Sequence, residues 1–155
     1  MNVGIMIYSE TGNTLSVAER LEERLVAAGH TVELRHVTVQ GGRSRGDRQF
    51  TLADAPDVTP YDGVVFGSSV EAFSLSPVMD AYMKTVGTLD GKTVTCLVTQ
   101  AFPYRWMGGN RALRQMAKHC RARGGKVAAV GVVNWAKSRR EATLRAAIDQ
   151  LSRTF

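Results

Sequence analysis

Small polar residues crowd the segment Ser9–Thr14, which reads Ser-Glu-Thr-Gly-Asn-Thr. The segment follows the apolar run Val3–Ile7 and precedes a helical spacing of apolar residues. A turn that opens a helix presents unpaired N–H groups and a partial positive charge, and both attract anions. Gly12 allows close approach of the backbone, while the hydroxyls and the Asn13 amide add donors. We therefore predict a phosphate site here; the alternative, a well-capped helix start, needs only one such residue.

The same region excludes several classes of phosphate-binding protein. It has no lysine and matches neither the G-x-x-x-x-G-K-[ST] loop of nucleoside triphosphatases nor the G-x-G-x-x-G dinucleotide pattern. It lacks the cysteine of a C-x5-R phosphatase loop. The third apolar run ends at Phe66-Gly67, not at the aspartate of a receiver domain. The three histidines are scattered without ligand spacing, so we predict no metal site.

Elements that position this segment alternate between short apolar runs and amphipathic helical patterns. Predicted strands cover 2–8, 31–36, 63–67, 93–99 and 126–133. Predicted helices cover 13–28, 76–87, 110–123 and 138–151, the last opening with a Ser138–Glu141 capping box. The polar stretch 41–48 predicts a loop, and a short helix before Pro60 is an option. We predict one domain, 1–155, of class α/β: a three-layer, doubly wound, five-stranded parallel sheet in the order 2-1-3-4-5.

Residues 9–14 resemble the [ST]-x-T-G-x-T phosphate loop of the flavodoxins. Residues 61–83 resemble the third strand, flavin loop and helix of flavodoxin-like NAD(P)H:quinone oxidoreductases, and residues 99–109 resemble the family loosely. The resemblance implies a flavodoxin-like fold, bound FMN and transfer of one or two electrons. It assigns the FMN phosphate to the phosphate loop, Ser9, Glu10, Thr11, Gly12, Asn13 and Thr14. It assigns one edge and face of the ring system to Ser68, Ser69, Val70, Glu71 and Phe73. It assigns the pyrimidine side to Thr99, Gln100, Ala101, Phe102, Tyr104 and Gly108.

Three aromatic residues, Phe102, Tyr104 and Trp106, crowd one short segment. We expect them to stack on the flavin or form its rim; ordinary packing under a loop is the alternative. Glu71 is expected on an exposed loop after the third strand. There its charge would have only a small effect on the flavin.

Two features depart from the pattern of flavodoxin electron carriers. Such carriers are usually acidic, whereas this chain has a net charge of +6. Residues 1–100 hold 8 Lys and Arg against 12 Asp and Glu, and residues 101–155 hold 12 against 2. We therefore expect a redox partner with an acidic surface, or a small-molecule acceptor. The second departure is that 68–76 contains no glycine, although carriers usually place one there.

These observations predict an FMN-binding redox protein, foremost an electron carrier between partner proteins. One alternative is an NAD(P)H-dependent quinone reductase; another, of a different class, is a binding module without cofactor. The three arginines of the polar stretch 41–48 could dock an acidic partner or a nicotinamide phosphate, or belong to a solvated, mobile loop. Nucleic-acid binding is not expected, because the basic residues fall on outer helix faces without a recognition motif. No apolar run suits a membrane span or signal peptide, so we expect a cytoplasmic protein, with Cys96 and Cys120 as reduced, buried thiols.

Overall fold

A computed structural model describes residues 1–155, and its elements alternate as the sequence predicts. The strands are β1 Asn2–Tyr8, β2 Thr31–His36, β3 Gly63–Glu71, β4 Ser74–Leu75, β5 Thr93–Gln100 and β6 Val127–Asn134. The helices are α1 Asn13–Ala27, α2 Pro77–Met83, α3 Gly109–Ala122 and α4 Arg140–Ser152.

The main sheet is parallel, and its strands lie in the order β2-β1-β3-β5-β6. The two-residue β4 pairs only with the end of β3, antiparallel to it. With β4 set aside, the predicted order 2-1-3-4-5 is confirmed. The pairs Tyr8 with Ser68 and Ser69 with Thr99 bring the carboxyl ends of β1, β3 and β5 to one edge of the sheet. Ligands of doubly wound sheets bind at this edge.

Two separate cores cover the two faces of the sheet. On one face, α2 and α3 pack Met79 and Met116 against Phe66. On the other face, α1 and α4 pack Leu21 and Ile148 against the opposite side chains of the same strands. Because the central strands are covered on both faces, they read as almost continuous apolar runs.

Several predicted boundaries were wrong, each for a local reason. β3 continues past Gly67 to Glu71, because Ser68 and Ser69 still pair with β1 and β5, and because 74–75 folds back to pair with the last two residues. α2 ends at Met83 instead of Gly87, because the backbone and hydroxyl of Thr85 both bond the Tyr82 carbonyl.

The predicted capping box at Ser138 does not form. Arg139 is the N-cap residue of α4, without a side-chain cap, and the chain before it is a turn closed on the Ala136 carbonyl. The helix considered before Pro60 is also absent. There Val39 and Leu52 form an isolated antiparallel bridge that engages the backbone in extended pairing.

The two edges of the sheet differ in charge. β2 carries the exposed residues Glu33, Arg35 and His36, whereas β6 carries no charged residue along its eight positions. Charged side chains on an edge strand oppose pairing with further strands. None of the four helices combines the length and the apolar character that a membrane span requires. Cys96 and Cys120 are free and buried, as predicted.

Candidate functional site

The phosphate loop carries a run of backbone N–H groups without protein acceptors. Gly12, at φ 88°, is the N-cap of α1 and provides no side-chain cap. The N–H groups of Glu10, Thr11 and Gly12 donate to no protein atom, and those of Asn13 and Thr14 find no acceptor in the preceding turn. The first helical bond is Ser16 N–H to the Gly12 carbonyl, at 3.0 Å. Consecutive free donors at a helix N-terminus are suited to an anion.

A buried hydroxyl pair fixes the phosphate loop to the next part of the site. Thr14 and Thr99 are 1% and 2% exposed, and their Oγ1 atoms lie 2.8 Å apart. The bond joins the first turn of α1 to the carboxyl end of β5. The hydroxyl of Thr14 is thus engaged within the protein, whereas Thr11 is exposed and its hydroxyl makes no protein hydrogen bond.

The chain after β3 forms a tight hairpin in place of the predicted loop. Its two turn residues, Ala72 and Phe73, adopt positive φ angles of 48° and 62°. Non-glycine residues take this conformation only at an energetic cost, and hairpin turns of this kind favour Asn-Gly. Ser68 and Ser69 lie at the end of the parallel part of β3, and the Ser68 hydroxyl donates to the Ser69 carbonyl.

An aromatic pair joins the hairpin to the loop after β5. The rings of Phe73 and Phe102 stack with centroids 5.1 Å apart and 16° between their planes. Both side chains are about half exposed, at 49% and 45%. The close approach requires Gly108, at φ 118°, because a Cβ there would lie 2.7 Å from Val70 Cγ1 and 2.8 Å from Phe73 Cα. Four predicted site residues, Val70, Phe73, Phe102 and Gly108, therefore meet.

Glu71 is buried, which contradicts its predicted place on an exposed loop. Its side chain is 4% exposed because β3 extends through it and Arg43 covers it. Arg43 binds both Glu71 oxygens, at 3.0 and 3.1 Å, and also Glu10, at 2.8 Å. Burial is the largest influence and raises the pKa of Glu71, but the hydrogen bonds that its carboxylate accepts, foremost from Arg43, and the positive charge of Arg43 together hold that pKa below its ordinary value. Burial also lowers the pKa of Arg43, and hydrogen bonds to Glu71 and Tyr8 more than reverse this.

Sequence reasoning missed Arg43. The sequence predicts the arginines of the Gly41–Arg48 loop either as docking groups for an acidic partner or a nicotinamide phosphate, or as part of a solvated loop. The side chain of Arg43 instead folds inward and is 1% exposed, with its guanidinium carbon 6.0 Å from the ring centre of Tyr8 and 5.7 Å from that of Phe50. The sequence did contain one indication of a cation here. Glu10 and Glu71 follow the ends of two predicted strands that are neighbours in the sheet, so two carboxylates would lie close together without a positive charge between them.

The loop after β5 is organised by Gln100. This side chain is 3% exposed, and its Nε2 donates to the carbonyls of Phe102 and Tyr104 at 2.7 and 2.5 Å. Ala101 is exposed at the edge of the sheet. Tyr104 stacks with Trp106 at 5.9 Å, and Arg139 lies over its ring at 5.0 Å.

Tyr104 therefore forms an aromatic group separate from the Phe73–Phe102 pair. It lines a cavity of about 410 Å³ beside β6. Among the residues lining that cavity are Tyr104, Arg105, Trp106, Val132, Arg139 and Ala147.

Comparison with known proteins identifies the fold of this chain. No protein-family model and no curated protein matches the sequence. Oxidised flavodoxin 2 from Bacillus cereus resembles the structure with a TM-score of 0.69 and 20% identity, over 99% of this chain and 97% of that one. A flavodoxin from Streptococcus pneumonia gives a TM-score of 0.68 and 16% identity over the whole of both chains.

A flavoprotein from Lactobacillus acidophilus NCFM, solved in complex with FMN, gives a TM-score of 0.62 and 16% identity. The match covers 94% of this chain and 97% of that chain. The chain therefore has the flavodoxin-like fold predicted from its sequence. The solved structures that share this fold over at least 94% of the chain include flavodoxins and flavoproteins.

Proposed function

We propose that this protein binds FMN at the carboxyl edge of its sheet and acts as an electron carrier between partner proteins. The observation that carries the proposal is the run of free N–H groups over residues 10–14 at the start of α1. The fold and the FMN complex of one structural neighbour support it. When bound, FMN would supply transfer of one or two electrons.

The phosphate loop fits a phosphate monoester in donor number and in charge. Backbone N–H groups, the hydroxyl of Thr11 and the positive end of α1 all favour an anion. Ser9 serves the loop differently, because its Oγ accepts the N–H of Leu15 over 3.3 Å. The Thr14–Thr99 bond holds the first turn of the helix in place, so the donors are already oriented before a ligand binds.

The surfaces beside this loop fit a planar aromatic ring system. Phe73 and Phe102 offer half-exposed ring faces, and the Ala101 and Phe102 N–H groups donate to no protein atom. Flavin sites combine apolar walls with a few such donors. The negative charge of Glu71 is partly offset here, because Arg43 is bound to both of its oxygens and shares its single positive charge with Glu10.

An electron carrier needs an exposed path to its partner. The exposed aromatic rings of Phe73, Phe102 and Trp106 lie around the end of the sheet, and residues 101–155 carry ten more basic than acidic residues. A partner with an acidic surface matches this charge.

Titration of the purified protein with FMN, followed by quenching of flavin fluorescence, tests the binding. We expect saturable quenching with one FMN per chain. Thr11→Ala should weaken binding by roughly tenfold, the worth of one good hydrogen bond to a charged group. Thr51→Ala is the matched control, since Thr51 is also exposed and its hydroxyl makes no protein hydrogen bond. Failure of FMN to bind at high concentration would refute the proposal.

The cavity beside β6 favours a second candidate, an NAD(P)H-dependent quinone reductase. Its 410 Å³ and its aromatic and arginine lining suit a planar anionic or quinone substrate. Incubation of the FMN-loaded protein with NADH or NADPH separates the two functions. A carrier leaves both nucleotides unoxidised and, once reduced chemically, passes electrons to ferricyanide; catalytic NAD(P)H oxidation would favour the reductase.

A further inference from the structure

Arg43 supplies a charge that β1 and the phosphate loop lack. No lysine or arginine precedes Arg20, so this segment brings one carboxylate, Glu10, and no side-chain cation to the site. The loop between β2 and β3 provides the cation, and Arg43 Nη1 donates to Glu10 Oε1 over 2.8 Å. The Tyr8 hydroxyl donates to the same oxygen over 2.7 Å.

The Arg43 guanidinium is also held by its own loop and by β3. Its Nε and Nη2 donate to the Asp47 carbonyl at 2.9 and 2.7 Å, and its two terminal nitrogens hold Glu71 as a fork. The Gly46 N–H donates to Glu71 over 3.2 Å, which closes the loop onto β3. Because this geometry uses the planar fork of arginine, lysine could not reproduce it.

The charges explain why such a residue is needed beside an anion site. A phosphate monoester carries about −1.5 to −2 charges at pH 7. The free N–H groups of residues 10–14 attract it, whereas the carboxylate of Glu10, inside the same loop, repels it. Arg43 offsets part of this repulsion, since its single positive charge is shared between Glu10 and Glu71, and it holds the Glu10 carboxylate by a charge-assisted hydrogen bond.

We propose that Arg43 is the positioning residue that allows a carboxylate-bearing phosphate loop to accept the phosphate group of a flavin nucleotide. Arg43 thereby sets the preference of this chain for phosphorylated over unphosphorylated flavin. The inference rests on the proposed function, because it concerns the same site.

The test compares the dissociation constants of FMN and riboflavin, which differ by the phosphate group alone. Arg43→Met should weaken FMN binding by roughly tenfold or more and change riboflavin binding by less than about twofold. Adding Glu10→Gln to Arg43→Met should restore most of the FMN affinity, because the repelling carboxylate is gone. The ratio of FMN affinity to riboflavin affinity of Arg43→Met should also approach the wild-type ratio as the pH falls below about 6, where the phosphate loses its second charge.

Arg48→Met is the matched control. Arg48 lies in the same loop and is exposed, it makes no hydrogen bond or ion pair in the structure, and the substitution changes net charge equally. Its FMN-to-riboflavin ratio should equal that of the wild type. If Arg43→Met does not fold because Glu71 loses its partner, the effect of Arg43→Met on both flavins is measured in a background that carries Glu71→Gln.

Each outcome decides the matter. Equal weakening of FMN and riboflavin by Arg43→Met, or no rescue by Glu10→Gln, would show a structural anchor only and overturn the inference while FMN binding stands. If the wild type binds neither flavin, the proposed function falls and this inference falls with it.

Discussion

Removal of one hydroxyl from the Thr14–Thr99 pair should destabilise the folded protein more than removal of both. The two side chains are 1% and 2% exposed and contact through a 2.8 Å hydrogen bond. Valine has almost the same shape as threonine, so Thr14→Val leaves the Thr99 hydroxyl buried without a partner. Such a group costs about 1–3 kcal/mol, whereas replacing both partners by apolar groups is nearly neutral. We expect each single variant to lower the free energy of unfolding by about 1–2 kcal/mol, and the double variant to lose less than either.

Urea unfolding of the wild type, both single variants and the double variant measures this coupling. At this chain length, 1 kcal/mol corresponds to a shift in Tm of about 2–4 °C, so thermal unfolding provides a second measurement.

Thr95 supplies a control on the same strand. Its hydroxyl is fully buried and has no hydrogen-bond partner, so Thr95→Val should leave stability unchanged or raise it. Strictly additive losses from Thr14→Val and Thr99→Val would refute the argument, as would a loss at Thr95→Val equal to theirs.

Three further predictions concern the hairpin, the buried carboxylate and the thiols. Gly108→Ala should destabilise the protein by about 2–3 kcal/mol in urea unfolding, because its Cβ would strike Val70 and backbone. Gly91→Ala, also at positive φ but with open space around it, should cost about 1 kcal/mol; equal losses would contradict the steric reason. Because the pKa of Glu71 is depressed below 4.5 in the folded state, its contribution is present above that pH and lost as pH falls through the folded pKa. The stability advantage of the wild type over Glu71→Gln should therefore shrink in acid, and a pH-independent difference would contradict the ion pair. Both cysteines should resist Ellman's reagent in the native protein and react only after unfolding; rapid reaction of either native thiol would contradict their burial.

The architecture could be predicted well from the sequence because strands that are buried on both faces of the sheet appear as continuous apolar runs. The continuous apolar runs around Ile5, Val65 and Leu97 belong to strands flanked and covered on every side. The phosphate loop could also be predicted from local sequence, because six adjacent small or polar residues between a buried strand and a helix exceed what a helix cap requires.

The contacts between distant segments could not be read in the same way. Arg43 lies 28 residues before Glu71 and 33 after Glu10, and no local pattern specifies that a polar loop folds inward onto both. The hairpin after β3 was missed because Ala72 and Phe73 are not turn residues by composition. Their conformation depends on tertiary contacts, including the stacking of Phe73 on Phe102.

The unequal edges of the sheet restrict how copies of this chain could assemble. Extension through β2 would bring its charged side chains against an added strand, while β6 presents no such obstacle. A fibre needs two different complementary surfaces, so that each copy can join one neighbour in front and another behind. Only the β6 edge of this sheet lacks charged side chains. Two copies that pair through their β6 edges use the same surface on both partners, so such an assembly ends at a dimer.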